Sequence, residues 1–204
     1  MSAYEIPLPR AGLTLLPPWW CFILWAGKRI ENRSATVAAR CGRWRGRVAI
    51  GASRVVGPKG CDRDDVCMLA KSYEREPRWR WRGSPSFSER DMFALGGHLV
   101  GVADLLDVRP NGPRPSDPWA EPGEWAFVLG TVYEIEPVPC TGGRRIHAIG
   151  GCATCGHIGA LEERNDPLRC RRCKASTSRS QLRRPPLRVI RAFGADGEPC
   201  PLTE

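Results

Sequence analysis

The distribution of apolar and polar positions divides the chain into a short helix, a series of strands and one polar interruption. Residues 18–26 place Trp20, Ile23 and Leu24 on one helical face, begin with Pro18 at the first helical position and stop at Gly27, which predicts a short helix. Four stretches, 47–53, 98–108, 125–136 and 144–149, are β-branched or alternate with period two between glycines and prolines, and they predict strands. Residues 55–91 are polar, carry Gly and Pro and hold no sustained period, so they read as an insertion with one helix over 64–73. Residues 109–123 are proline-rich and read as a loop. One helix followed by spaced strands suggests a small barrel.

Composition adds bounds. A length of 204 residues with 42% hydrophobic content suits one folded domain and a small second unit. A charged fraction of 26% with eight Trp is wrong for a disordered chain, and ten Cys are too dilute for a disulfide-stapled miniprotein. The first residues lack a basic n-region, and the 17-residue uncharged stretch 11–27 is broken by Pro17-Pro18 and too short to span a bilayer. The expectation is a cytoplasmic protein with no membrane partner. Its thiols would stay reduced, so regularly spaced cysteines read first as metal ligands.

The clearest such spacing is Cys152-Ala-Thr-Cys155, fourteen residues, then Cys170-Arg-Arg-Cys173. Two C-x2-C knuckles can deliver four thiolates tetrahedrally to Zn2+, and the metal supplies folding energy that so short a segment cannot get from apolar burial. Gly156 and the turn-forming Asn165-Asp166-Pro167 suit a zinc ribbon over 151–176. The competing reading, a redox C-x-x-C, lacks the βαβ setting it needs. Cys61 and Cys67, with Cys41 or His98, could build a second site or be small buried hydrophobes.

The formal charge of +9 is localised. Residues 169–191 hold nine basic side chains and no acid, and residues 28–54 hold eight with the single acid Glu31. The first run is dense enough to contact several phosphates and reads as part of a basic tail over 177–204. Arg171, Arg172, Lys174, Arg183 and Arg184 in it, and Arg33 and Arg45 in the other stretch, are candidate nucleic-acid contacts. Trp44 and the Trp79-Arg80-Trp81-Arg82 run suit a surface where rings stack and cations pair, or a strand burying its tryptophans on one side.

Several segments resemble the ASCH domain, the activating signal cointegrator homology module. They are Leu13-Thr-Leu-Leu-Pro-Pro-Trp-Trp, Gly27-Lys28-Arg-Ile-Glu31-Asn-Arg33, Arg45-Gly46-Arg-Val-Ala-Ile-Gly-Ala52-Ser53, the 97–108 stretch, and Trp125-Ala-Phe-Val-Leu129 with Glu136-Pro-Val-Pro-Cys-Thr-Gly142. The likeness spans about residues 13–149, within a first domain of 1–150. It implies an α+β fold: a small PUA-like, mostly antiparallel β-barrel with rim helices, here followed by the zinc ribbon. It also implies a cleft for RNA or nucleotides beside the Gly-Lys-x-x-Glu-x-Arg segment, with Lys28, Glu31 and Arg33 as site residues.

Some proteins of that family are amidohydrolases of acylated cytidine nucleosides, using the motif lysine and a threonine three positions later; here that later position is Glu31. Two functions follow. One is binding of RNA or single-stranded nucleic acid by the cleft, with the basic ribbon gripping the backbone. The other is hydrolysis of a modified (acylated) cytidine nucleoside or of RNA, with Lys28 as base and Glu31 orienting it. The three histidines, His98, His147 and His157, read as structural, although His147 could serve as a base at a cleft. The ribbon could also dock a protein partner.

Overall fold

A computed structural model describes residues 4–41, 45–54, 62–74, 89–141, 146–162, 168–170, 172–177, 181–196 and 198–202. In chain order its elements are β1 (Glu5–Pro7), β2 (Ala11–Leu15), α1 (Trp19–Trp25), β3 (Ile30–Arg33), α2 (Ala35–Cys41), β4 (Gly46–Ala52), α3 (Arg63–Glu74), α4 (Glu89–Ala94), β5 (His98–Pro110), β6 (Trp125–Thr141), β7 (Ile146–Gly151), β8 (Ile158–Glu162), β9 (Leu168–Cys170), β10 (Ser176–Thr177), β11 (Pro186–Phe193) and β12 (Pro199–Cys200). The protein is mixed α+β, with few helices and a mostly antiparallel sheet. Among the described residues no helix is long and apolar enough to cross a membrane.

The sheet runs β1-β11-β6-β5-β4-β2-β7-β8-β9-β10, with β12 on β11 and β3 on β6. Among the described residues, only β2 with β4 and β6 with β8 are parallel. The second of these is short, Cys140 opposite Ile158 and Thr141 opposite Gly159, yet it returns the path to β6, so β6, β5, β4, β2, β7 and β8 form a closed circuit of neighbours. β6 is 17 residues long because it pairs with β5 along nearly its whole length while serving β3 near its start, β11 through its middle and β8 at its end.

Two apolar clusters flank β5. One holds Val100, Ala103 and Leu105 with Trp20, Ile23, Leu24 and Trp25 of α1; the other holds Leu99 and Val102 with Ile6, Ile149, Leu187 and Val189. A strand covered on both faces reads as a continuous apolar run, which is why 98–105 shows little polar alternation. Helix α1 is likewise buried almost all round, from Trp20 to Trp25. The single apolar face expected for it was too narrow: Phe22 and Ala26 face a third cluster with Ile30, Trp119 and Ala126. Val66 and Cys67 of α3 join the first cluster and Cys41 packs against it, so these two cysteines serve as small hydrophobes; Cys61 lies outside the described residues.

The C-terminal segment corrects the expectation of a basic tail. Residues 186–193 form β11, seated between β1 and β6. The signal was present but submerged in charge: Leu187 and Val189 are buried while Arg188 and Ile190 are exposed, a period of two. The arginines find carboxylates across the sheet, Arg191 with Glu134 at 2.7 Å and Arg188 with Glu136 at 3.1 Å. The four-cysteine segment is therefore an excursion from the sheet rather than an appendage. It is closed at its base by reciprocal backbone hydrogen bonds of Gly151 and Arg183, at 2.9 and 3.0 Å.

Helix α1 seats on β5 at Gly101, where a Cβ would lie 2.6 Å from Leu24 Cδ2 and 2.9 Å from the Tyr133 carbonyl oxygen. A methyl group there must displace backbone as well as a side chain. Gly101→Ala should destabilise the protein by about 1–3 kcal/mol, read as a lower urea midpoint, while Gly112→Ala, with open space around it, should leave the midpoint unchanged.

Candidate functional site

The pocket is built where α1 ends. Ala26 and Lys28 both donate their N–H to the Phe22 carbonyl, and Gly27 supplies the left-handed turn (φ 71°) that lets the chain reverse into β3. This reversal carries Lys28 inward. Its side chain is 1% exposed, with Nζ 5.6 Å from the centroids of both Trp19 and Trp119. Nζ donates to the Ile30 carbonyl and lies 3.5 Å from Glu31 Oε2, while Glu31 Oε1 takes Arg33 Nη2 at 3.0 Å. The structure thus brings Lys28, Glu31 and Arg33 together as one ion-paired group, in which Arg33 Nε is buried without a partner.

Trp119 and Glu121 come from the proline-rich loop, and Asn32 of β3 holds that loop in place. Asn32 Nδ2 donates to the Trp119 carbonyl at 2.7 Å, and its Oδ1 accepts from Glu121 N at 3.0 Å and Asn111 Nδ2 at 3.1 Å. The result is a pocket of about 150 Å3 lined by Trp19, Lys28, Glu31, Asn32 and Glu121. Trp19, Asn32, Trp119 and Glu121 were not singled out from the sequence; nothing in residues 109–123 beyond a lone Trp among prolines marks them as a pocket wall.

Burial pulls the Lys28 ammonium below the ordinary lysine value, and the charge and hydrogen bond of Glu31 oppose this, with Glu121 and Asp117 helping. Next in the chain, Arg29 is also buried and spans three carbonyls: Nη1 donates to Ile23 at 2.9 Å and Lys28 at 3.0 Å, and Nε to Gly194 at 3.0 Å. It ties the end of β11 to the backbone that presents Lys28.

The four cysteines form a second centre. Their Sγ atoms all lie within 4.8 Å of one another, with Cys152 and Cys173 at 3.6 Å and Cys155 and Cys170 at 3.8 Å. A tetrahedral metal–thiolate set with bonds of about 2.3 Å has edges of about 3.8 Å, so the donors fit a metal ion. All four sulfurs share one cluster, with close contacts across the two knuckles, as four-fold ligation requires and an isolated redox dithiol within one motif does not.

The knuckles match hydrogen bond for hydrogen bond. Gly156 N donates to the Cys152 carbonyl and Lys174 N to that of Cys170, both at 2.9 Å; Cys152 N donates to the His157 carbonyl at 2.9 Å and Cys170 N to that of Ala175 at 3.0 Å. Gly156 (φ 70°) and Lys174 (φ 62°) occupy the same left-handed position. Lysine meets a steric cost there that glycine escapes. The backbone N–H of Cys155, opposed by burial and aided by that of Thr154, pulls the Cys152 thiol down to about 6, while the neighbouring Cys173 thiol is pushed up to about 11, so that one proton is held between the pair. His157 Nε2 is 2.8 Å from Thr141 Oγ1, which anchors the ribbon to β6, and its pKa is lowered by burial and by Arg172.

The remaining basic candidates divide. Arg172, Lys174 and Arg183 are exposed, and none joins a carboxylate among the described residues. Arg45 is paired with Asp107 at 2.6 Å, which holds that carboxyl below its usual value. Arg184 is turned to the fold: Nη1 donates to the carbonyls of Pro9 at 2.6 Å and Ile149 at 3.1 Å. Arg171, Trp44, the 79–82 run and the side chain of His147 lie outside the described residues. His98 Nδ1 is 3.2 Å from the Leu95 carbonyl, at the start of β5. No protein-family model matches this chain, and a search of curated proteins finds no significant match.

Because burial lowers the folded-state pKa of Lys28, the unfolded chain holds more protons between that lowered value and the ordinary lysine value. The cost of burying the charge is full below the lowered pKa and is relieved as pH rises toward about 10.4. Urea midpoints measured across this alkaline range should therefore carry a rising contribution in the wild type that Lys28→Met lacks.

Proposed function

We propose that the protein binds RNA or single-stranded nucleic acid, one base entering the pocket beside Trp19 while exposed cations of the ribbon contact phosphates. The pocket carries this reading. Its volume of about 150 Å3 suits one planar heterocycle, and Trp19 offers a stacking face. Lys28 already engages Ile30 and Glu31 but has a third N–H to donate, and the Glu121 carboxylate has no hydrogen bond or ion pair among the described residues, so a base edge would meet both a donor and an acceptor. Two carboxylates beside one neutralised ammonium disfavour a phosphate at this point. Phosphates would instead meet Arg172, Lys174 and Arg183. The likeness to the ASCH domain, with its PUA-like fold and RNA-associated cleft, supports the same reading.

We assign the four-thiolate centre to Zn2+, whose tetrahedral preference and affinity for sulfur suit the set. Bound there, the ion supplies folding energy to the ribbon. Cys152, Cys155, Cys170 and Cys173 hold it, and the paired backbone amides of the knuckles orient the sulfurs. Metal analysis should find one zinc per chain, and Cys170→Ser should abolish it.

Hydrolysis of an acylated cytidine nucleoside or of RNA is the second reading, favoured by one observation: burial moves Lys28 toward the neutral form that a base requires. Against it, the ammonium is held by Ile30 and Glu31, and position 31 offers no hydroxyl nucleophile.

A salt titration with a single-stranded oligonucleotide separates the parts. The logarithm of affinity should fall linearly with the logarithm of salt concentration, with a slope of about 0.7 per phosphate engaged. Trp19→Ala should weaken binding by about 1–3 kcal/mol with the slope unchanged. Absence of salt-sensitive binding would overturn the binding reading, and turnover of an N-acylated cytidine that Lys28→Ala abolishes would establish the hydrolase in its place.

A further inference from the structure

Among the described residues, five arginines on or beside the sheet have carboxylate partners: Arg33 with Glu31, Arg45 with Asp107, Arg47 with Asp104, Arg188 with Glu136 and Arg191 with Glu134. Where the ribbon rejoins the sheet, this rule fails. Arg184 is only partly exposed, and Nη1 is fixed by the carbonyls of Leu8, Pro9 and Ile149, at 3.5, 2.6 and 3.1 Å. No carboxylate is paired with it among the described residues, and none of its other guanidinium nitrogens has a hydrogen-bond partner among them.

The next residue after Pro9 is a second arginine. Arg10 is exposed, its carbonyl accepts from Ile149 N at 3.0 Å, and among the described residues its side chain has no ion pair. Two guanidinium groups on adjoining backbone, one of them locked, are an arrangement that repels itself in the absence of an anion. The pKa of Arg184 is lowered by burial and then by the charge of Arg10, with no acid acting to raise it. Partly desolvated cations without a counter-charge are costly, and forked donors match the oxygens of a phosphate.

We propose that Arg10 and Arg184 form an anion site at the base of the ribbon that takes one phosphate group of a bound nucleic-acid backbone. Arg184 is the positioned donor and Arg10 the exposed second arm. The nucleic-acid part rests on the binding reading above; the anion site itself does not. Arg184→Gln would also remove the clamp on Leu8, Pro9 and Ile149, so the informative variant is Arg10→Gln, since the Arg10 side chain makes no hydrogen bond among the described residues. Arg188→Gln, which removes the same charge from a carboxylate-paired arginine, is the control.

With a twelve-residue oligouridine, Arg10→Gln should weaken binding roughly tenfold at low salt and reduce the salt slope by about 0.7, while Arg188→Gln leaves the slope unchanged. Equal slopes in wild type and Arg10→Gln, or equal losses in the two variants, overturn the site. If the wild type binds no oligonucleotide, the nucleic-acid reading fails, and inorganic phosphate followed by phosphorus NMR decides the rest. Line broadening present in wild type and lost in Arg10→Gln sustains an anion site for free phosphate; no broadening overturns it.

Discussion

The fold hangs on the hydrogen-bonding demands of one strand. β6 extends for 17 residues, and a buried backbone of that length must find partners for its N–H and C=O groups along both edges. It finds them in β5 on one side and in β3, β11 and β8 in turn along the other. Each partner brings a different part of the molecule to the same spine. β3 brings Glu31 and Asn32, β11 brings the chain back from the ribbon, and β8 holds the strand that follows the ribbon's first knuckle. The pocket and the thiolate centre are thus attached to one strand at successive positions along its length.

Around the pocket, the same economy of polar groups sets the details. Lys28 and Arg29 are adjacent and both buried, an arrangement tolerable only because each finds acceptors: Ile30 and Glu31 for the first, and the carbonyls of Ile23, Lys28 and Gly194 for the second. Asn32 does for the proline-rich loop what Arg29 does for the C-terminal segment. Three hydrogen bonds from one amide fix a stretch that has no regular structure of its own.

Local pattern made much of this legible. The helix at 18–26, the strands within 46–52, 98–110 and 125–141, and the helix at 63–74 follow from period and punctuation, and the four cysteines follow from spacing. Lys28, Glu31 and Arg33 were nominated through a family resemblance, and the fold does gather them. What stayed hidden depended on long-range contacts. β2, a five-residue apolar run, is a strand because β4 and β7 flank it. β11 was masked by its arginines, whose carboxylate partners lie more than 50 residues away on β6. Trp119 flanks Lys28, and Glu121 lines the pocket, only because Asn32, some 90 positions earlier, holds their loop. Arg184 looked like one more solvated charge until its three carbonyl partners placed it.

The pairing of β1 with β11 has a mechanical consequence. The two strands are antiparallel, with Glu5 opposite Arg188 and Pro7 opposite Pro186, and Tyr4 still accepts from Val189. Tyr4 and the second half of β11, which stays paired to β6 as far as Phe193, therefore lie at the same end of this ladder of hydrogen bonds. Tension between Tyr4 and that half of β11 would load the β1–β11 bonds one after another, opening the pair like a zipper, instead of shearing them all at once. Stretching force would peel β1 from the sheet first, leaving β6 and everything attached to it intact.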